Sequence, residues 1–148
     1  MAKTQTSPET SLKLQRTFPA PRERVFRAWS DPKELGMWFA PSPDHKPVVA
    51  EMEFRVGGKY RLEVHHKGGN IHRLHGIYRE IIPPEKIAFT WSWAEGPDAN
   101  ISLVTVEFRD LGNSTEITLT HEGLPSAEER GKHNQGWTGV LEQLAKYV

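Results

Sequence analysis

Four histidines stand close together in the middle of the chain, His65 and His66 before a Gly68-Gly69 pair and His72 and His75 after it. Imidazole is the commonest metal ligand, so a metal site is the first chemistry to weigh. Strand geometry argues against it. Positions three apart on a strand face opposite sides of a sheet, so His72 and His75 cannot ligate together from one regular strand. A two-residue loop at Gly68-Gly69 places His65 directly opposite His72, but two imidazoles with no third ligand fall short of a zinc site. There is no cysteine to add a thiolate. These histidines are read as solvated strand residues, and neither a metal nor another cofactor is expected.

A second group of residues has the types needed to move protons. His121 or His133 paired with Glu80 or Tyr78 has the makings of a general acid and base. Glu51 and Glu53 alternate with Met52 and Phe54 and are read as solvated. No nucleophile elbow, phosphate loop or His-Glu-x-x-His is present. Each of these polar residues is read first as structural, and no catalytic residue is assigned.

The aromatic residues form the strongest functional signal. Trp29, Trp38, Phe39, Phe54, Tyr60, Phe89, Trp91, Trp93 and Trp137 are few but large apolar groups in a chain that is only 36% hydrophobic. For any one of them the ordinary role is core. Collectively, flat rings facing a gap suit an apolar or aromatic ligand. With Leu62, Tyr78, His121, His133 and Leu141 they make up the candidate ligand-binding set.

The elements that must position these residues follow from periodicity. Leu12, Leu14, Arg16 and Phe18 share one face of a first strand that ends at Pro19-Ala20-Pro21. Pro21 opens a helix whose apolar face is Val25, Ala28 and Trp29, with Phe26 beside it. Asp31-Pro32, with Glu34 completing a capping box, starts a short second helix carrying Leu35, Trp38 and Phe39. Strands are expected near 48–56, 59–66, 71–82, 86–94, 101–109 and 114–121. Gly57-Gly58, Gly68-Gly69-Asn70, Pro83-Pro84, Gly96-Pro97-Asp98 and Gly112-Asn113 separate them, and such short connections imply an antiparallel meander. Finally, Ser126 and Glu129 make a Ser-x-x-Glu capping box. Trp137, Val140, Leu141, Leu144, Ala145 and Val148 follow on one face of a helix of roughly 20 residues, about 30 Å long.

The register of the hairpin at Gly68-Gly69 stays open. A two-residue loop turns Arg73, His75 and Ile77 to the face of Leu62 and Val64; a three-residue loop at Gly68-Gly69-Asn70 brings Leu74, Gly76 and Tyr78 there instead. A slip of one residue flips the whole strand.

At 148 residues the chain has the size of one domain. Residues 1–10 are expected to be a disordered leader and 11–148 a single folded unit. Nineteen basic and nineteen acidic residues give no net charge, which argues against nucleic acid as a partner. No stretch approaches the length of a membrane span, so no membrane insertion is expected. The polar N-terminus has no apolar signal core, and a cytoplasmic location is expected.

This order of elements, with four stretches of sequence, resembles the START-like helix-grip superfamily, also called SRPBCC. Within it the chain is similar to the family named after the activator of the heat-shock-protein-90 ATPase. The stretches run from Phe18-Pro19-Ala20-Pro21 to Trp29, from Asp31-Pro32 to Trp38-Phe39, from Gly76-Ile77-Tyr78-Arg79 to Ile87, and from Leu119-Thr120-His121-Glu122-Gly123-Leu124 on to Gly136-Trp137 and Leu141. The resemblance implies an α+β fold in which a curved seven-stranded antiparallel sheet wraps the long C-terminal helix, with two short helices after the first strand and a cavity for an apolar ligand. It implies no single activity. Activators in the family carry an additional N-terminal domain for docking to the chaperone, for which this chain has no room, so a chaperone partner is carried by analogy alone.

The leading expectation is a soluble protein, monomeric or homodimeric, that binds a small apolar, amphipathic or aromatic ligand in an internal cavity. One alternative is an enzyme of the cyclase, dehydratase or hydrolase type, in which His121, His133, Tyr78 or Arg73 handles protons. The other is a chaperone-associated stress-response cofactor.

Overall fold

A computed structural model of the chain describes residues 10–93 and 101–148. The leader expected over 1–10 (except Thr10) and the turn expected at Gly96-Pro97-Asp98 lie outside them. The elements run β1 (Leu12–Phe18), α1 (Arg22–Ser30), α2 (Pro32–Trp38), β2 (His45–Met52), β3 (Lys59–His66), β4 (Ile71–Ile82), β5 (Lys86–Trp93), β6 (Ser102–Asp110), β7 (Thr115–Glu122) and α3 (Ala127–Tyr147). The seven strands form one antiparallel sheet in the order β1-β7-β6-β5-β4-β3-β2, curved around α3.

Alternation builds the core. Val104, Val106 and Phe108 of β6 and Ile117 and Leu119 of β7 turn to one face and are buried with Trp137, Val140, Leu141 and Leu144 of α3. Burying aliphatic and aromatic groups of this size stabilises by about 1.5–3 kcal/mol each. From α1, Val25, Phe26, Ala28 and Trp29 enter the same cluster. At the start of α3 the Ser126 hydroxyl accepts the Glu129 amide at 3.1 Å.

The start of α2 departs from expectation. Asp31 does cap it, accepting the Lys33 amide at 2.9 Å, but Glu34 does not complete a box. The Asp31 amide that Glu34 would have met already donates to the Arg27 carbonyl at 3.0 Å, because α1 ends there. Glu34 instead takes Arg24 at 2.6 Å, Arg27 at 2.8 Å and the Tyr147 hydroxyl at 3.1 Å, tying α1 and α2 to the end of α3.

Strand β2 also differs, running from His45 rather than from residue 48 and stopping at Met52. Pro47 lies inside it, and a proline is tolerated there because β2 is the last strand of the sheet, where a missing N–H breaks no ladder.

The hairpin takes the three-residue parity. Val64 pairs with His72, Leu62 with Leu74 and Tyr60 with Gly76, so Leu74, Gly76 and Tyr78 share the inward face. The loop is Lys67-Gly68-Gly69 rather than Gly68-Gly69-Asn70: the His66 amide donates to the Asn70 carbonyl at 2.8 Å, and Gly69 holds φ +106°, a conformation that glycine adopts freely.

Gly76 has a second structural task. The Tyr60 hydroxyl donates to the carbonyl of Thr90 on β5, passing the position where Gly76 has no side chain. A Cβ at Gly76 would stand 2.0 Å from that carbonyl oxygen and 2.7 Å from the Tyr60 ring.

Candidate functional site

Between α3 and the inner face of β3, β4 and β5 lies a cavity of about 440 Å³. That is within the usual range for a small-molecule site. Its apolar walls are Phe39 and Pro41 from the segment after α2, Val64 from β3, Leu74 from β4, Trp91 and Trp93 from β5, and Trp137 and Val140 from α3. The polar residues on it are His45, His72, Glu129, Lys132 and His133. Gly136 lines the helical side, where an added Cβ would meet no atom within 4 Å.

The rings meet edge to face in the Trp91–Trp93 and Phe39–Trp137 pairs and at a tilt in the Trp91–Trp137 and Trp91–Phe39 pairs. The Trp91 centroid lies 5.2 Å from that of Trp137, 5.5 Å from that of Trp93 and 6.3 Å from that of Phe39. Phe39 in turn stands 5.8 Å from Trp137. Gly139 lets the Pro41 segment lie directly on α3, since a Cβ there would fall 2.0 Å from the Pro41 carbonyl oxygen.

Of the fourteen residues expected from sequence, Phe39, Trp91, Trp93, His133 and Trp137 line this cavity. Trp29, Tyr60, Leu62, Tyr78 and Phe89 surround a second void of only about 20 Å³, together with Phe39 and Trp91. That is space for a water rather than a ligand. Trp38 is 2% exposed and donates its indole N–H to the Ala28 carbonyl at 2.9 Å, so it braces α2 against α1 and does not line the cavity. Phe54 packs on Phe26 and Tyr78, and Leu141 lies in the central core.

His121 lies behind the cavity wall in a complete chain of hydrogen bonds. Trp137 donates its indole N–H to Nδ1 of His121 at 3.0 Å, and Nε2 lies 2.7 Å from the Ser102 hydroxyl. Ser102 in turn donates to the Trp91 carbonyl at 3.3 Å. An indole only donates and a carbonyl only accepts, so His121 is neutral with its proton on Nε2. Burial, and then the neighbouring His133, push its pKa down to about 3. The chain fixes the orientation of Trp137 and leaves His121 no free nitrogen.

His133 differs. Its Nδ1 lies 2.8 Å from the Glu129 carbonyl and must carry the proton of a neutral ring, while the buried Nε2 has no partner. Trp91 Nε1 is likewise buried and unpartnered. Tyr78 is held neutral by burial, which pushes its pKa up, and Arg73 lies on the outer face of β4, 3.4 Å from Glu63.

Sequence reasoning missed His45 and His72 as lining residues. His72 shares the inward face of β4 with Leu74, two positions on, which the hairpin parity would have revealed. His45 belongs to the part of β2 read as loop; burial, then the charges of His66 and His72, hold its pKa below the usual histidine value. Among the described residues no group of three or more His, Asp or Glu side chains is placed to hold a metal ion. None of their helices is long and apolar enough to cross a membrane.

The chain belongs to the Activator of Hsp90 ATPase homolog 1-like protein family, whose model matches residues 19–148. It is 28% identical over 130 residues to the mouse protein named Activator of 90 kDa heat shock protein ATPase homolog 1; the match covers 88% of this chain and 34% of that one. The chain thus spans about a third of the length of that curated relative. Among solved structures it is similar to a protein from Chromobacterium violaceum, with TM-score 0.85, 32% identity and 94% of this chain and 96% of that chain covered. A protein from Rhizobium loti matches with TM-score 0.72 and 30% identity, over 94% of this chain and 96% of that one.

Proposed function

We propose that this member of the family binds a small apolar or amphipathic molecule in the cavity between β3–β5 and α3. The observation that carries the reading is the 440 Å³ space walled by Phe39, Trp91, Trp93 and Trp137, with His45, His72, Glu129, Lys132 and His133 as the polar residues of its lining. An apolar cavity of that size gains free energy when a ligand displaces its water. Family membership supports the fold and leaves the role open, because one fold hosts many functions.

The geometry favours binding over proton transfer. Of the four groups named for the enzymatic alternative, His121 has both nitrogens engaged, Tyr78 faces the small inner void and Arg73 lies on the outer face of the sheet beside Glu63. A chaperone-linked role rests on the name of a relative of which this chain covers about a third.

Native mass spectrometry of gently purified protein, combined with titration of 2-methylnaphthalene against tryptophan fluorescence, tests the reading. Saturable quenching with one site per chain is expected. Unchanged fluorescence with naphthalene-sized and smaller aromatics, together with no co-purifying mass, would overturn it.

A further inference from the structure

Two residues of the cavity lining each carry a buried polar atom with no partner, His133 Nε2 and Trp91 Nε1, and the hydrogen-bonding roles of these atoms are opposite. Indole N–H can only donate. His133 Nδ1 donates to the Glu129 carbonyl, so in the neutral ring Nε2 can only accept. Both side chains are at least nine-tenths buried, with exposures of 9% for His133 and 7% for Trp91. Their ring centroids are 6.2 Å apart at 75°. A lone buried donor and a lone buried acceptor on adjacent rings of one cavity together ask for a group that accepts from one and donates to the other.

On a ligand, a hydroxyl is the smallest group that does both. The wall beside it is aromatic, formed by Trp91, Trp93 and Trp137. The Trp93 ring centroid lies 6.0 Å from that of His133, and Trp93 is 36% exposed, so this end of the aromatic wall is the one open to solvent. We propose that the cavity selects a hydroxylated aromatic molecule, a phenol or naphthol, whose hydroxyl accepts from Trp91 Nε1 and donates to His133 Nε2. This rests on the apolar-cavity reading and narrows it to a ligand class.

The carboxylate alternative is disfavoured by the same atoms. A carboxylate accepts only, and would set its lone pairs against the bare Nε2 of His133. An ether or ketone satisfies Trp91 and leaves His133 unpaired.

The test compares 2-naphthol with 2-methylnaphthalene, which has the same ring system with a methyl in place of the hydroxyl. Affinities are measured by tryptophan quenching at about pH 8, where a neutral imidazole and an un-ionised phenol coexist. The wild-type chain is expected to prefer 2-naphthol by on the order of tenfold, the scale of one or two well-made hydrogen bonds. In His133→Leu and in Trp91→Phe the preference is expected to fall to within about twofold of unity. The readout is the ratio of the two affinities within each variant, so a change in cavity binding common to both compounds cancels. Equal affinities in the wild type would overturn the hydroxyl proposal while leaving the apolar cavity standing, and that comparison needs no variant to fold. A preference that survives either substitution would overturn it too. If neither compound binds, the cavity reading falls and takes this proposal with it.

Discussion

Trp137 on α3 donates its indole N–H to Nδ1 of His121 on β7 at 3.0 Å, joining the helix to the sheet by a buried polar bond. The bond exists only while His121 is neutral, because a protonated ring would set N–H against N–H. His121 is held down to about 3, below its ordinary value of 6.5. In the unfolded chain it takes up a proton near 6.5, whereas the folded protein resists until near 3. Its contribution is therefore fully present above pH 6.5 and is lost as the pH falls from there towards 3. Within that window the loss is about 1.4 kcal/mol per pH unit. Urea unfolding from pH 7.5 down to 4.5 is expected to show this slope, and His121→Gln is expected to flatten it. An unchanged slope in the variant would contradict the assignment.

Trp137→Phe leaves Nδ1 of His121 as a bare buried acceptor. A loss of about 1–3 kcal/mol beyond the change in ring size is expected, the cost of stranding a buried polar group. Denaturant unfolding at pH 7.5 measures it, and the double variant with His121→Leu is expected to recover part of the loss.

Gly76→Ala puts a Cβ into the path between Tyr60 and the Thr90 carbonyl, 2.0 Å from the oxygen. Both obstacles are in packed core, so neither yields cheaply. A loss of more than about 2 kcal/mol is expected, with opening of β4 from β5 visible in amide exchange at Ile77 and Thr90. A neutral result would show that the Tyr60 ring is free to move aside.

Glu34→Ala removes a carboxylate shared by Arg24, Arg27 and Tyr147. The Arg27 side chain is more than half exposed, so that pair adds little. The Arg24 and Tyr147 contacts are the sheltered ones, and a loss of about 1–2 kcal/mol is expected in thermal unfolding.

Much of this arrangement was written in the periodicity. The aromatic and aliphatic alternation of Tyr60, Leu62 and Val64 and of Val104, Val106 and Phe108 announced the inward faces, and Ser126 with the Trp137 face announced α3. What could not be read was the pairing across Lys67-Gly68-Gly69. Parity there depends on one residue of loop length, and it decides whether His72 or Arg73 faces inward. The glutamate at position 34 was misjudged for a related reason: capping chemistry is local, but the Arg27 carbonyl had already taken the amide on offer. The aromatic residues were grouped as rings facing a gap, yet sequence could not tell which rings would touch one another and which would leave a space. Trp29 and Tyr60 border only the small void, whereas Trp91 and Trp93 border the large one.

Gly136 offers the most direct measurement. It lines the cavity from α3, and a Cβ there would meet no atom within 4 Å, so a large residue is expected to extend into the void. Replacing a helical glycine also favours the helix by up to about 1 kcal/mol. Calorimetric titration of 2-naphthol into the wild-type chain and into Gly136→Trp, with thermal unfolding of both, tests whether this cavity is the binding site. Loss of affinity of at least about tenfold with an unchanged or raised Tm is the predicted result. Undiminished binding to a folded Gly136→Trp variant would contradict it.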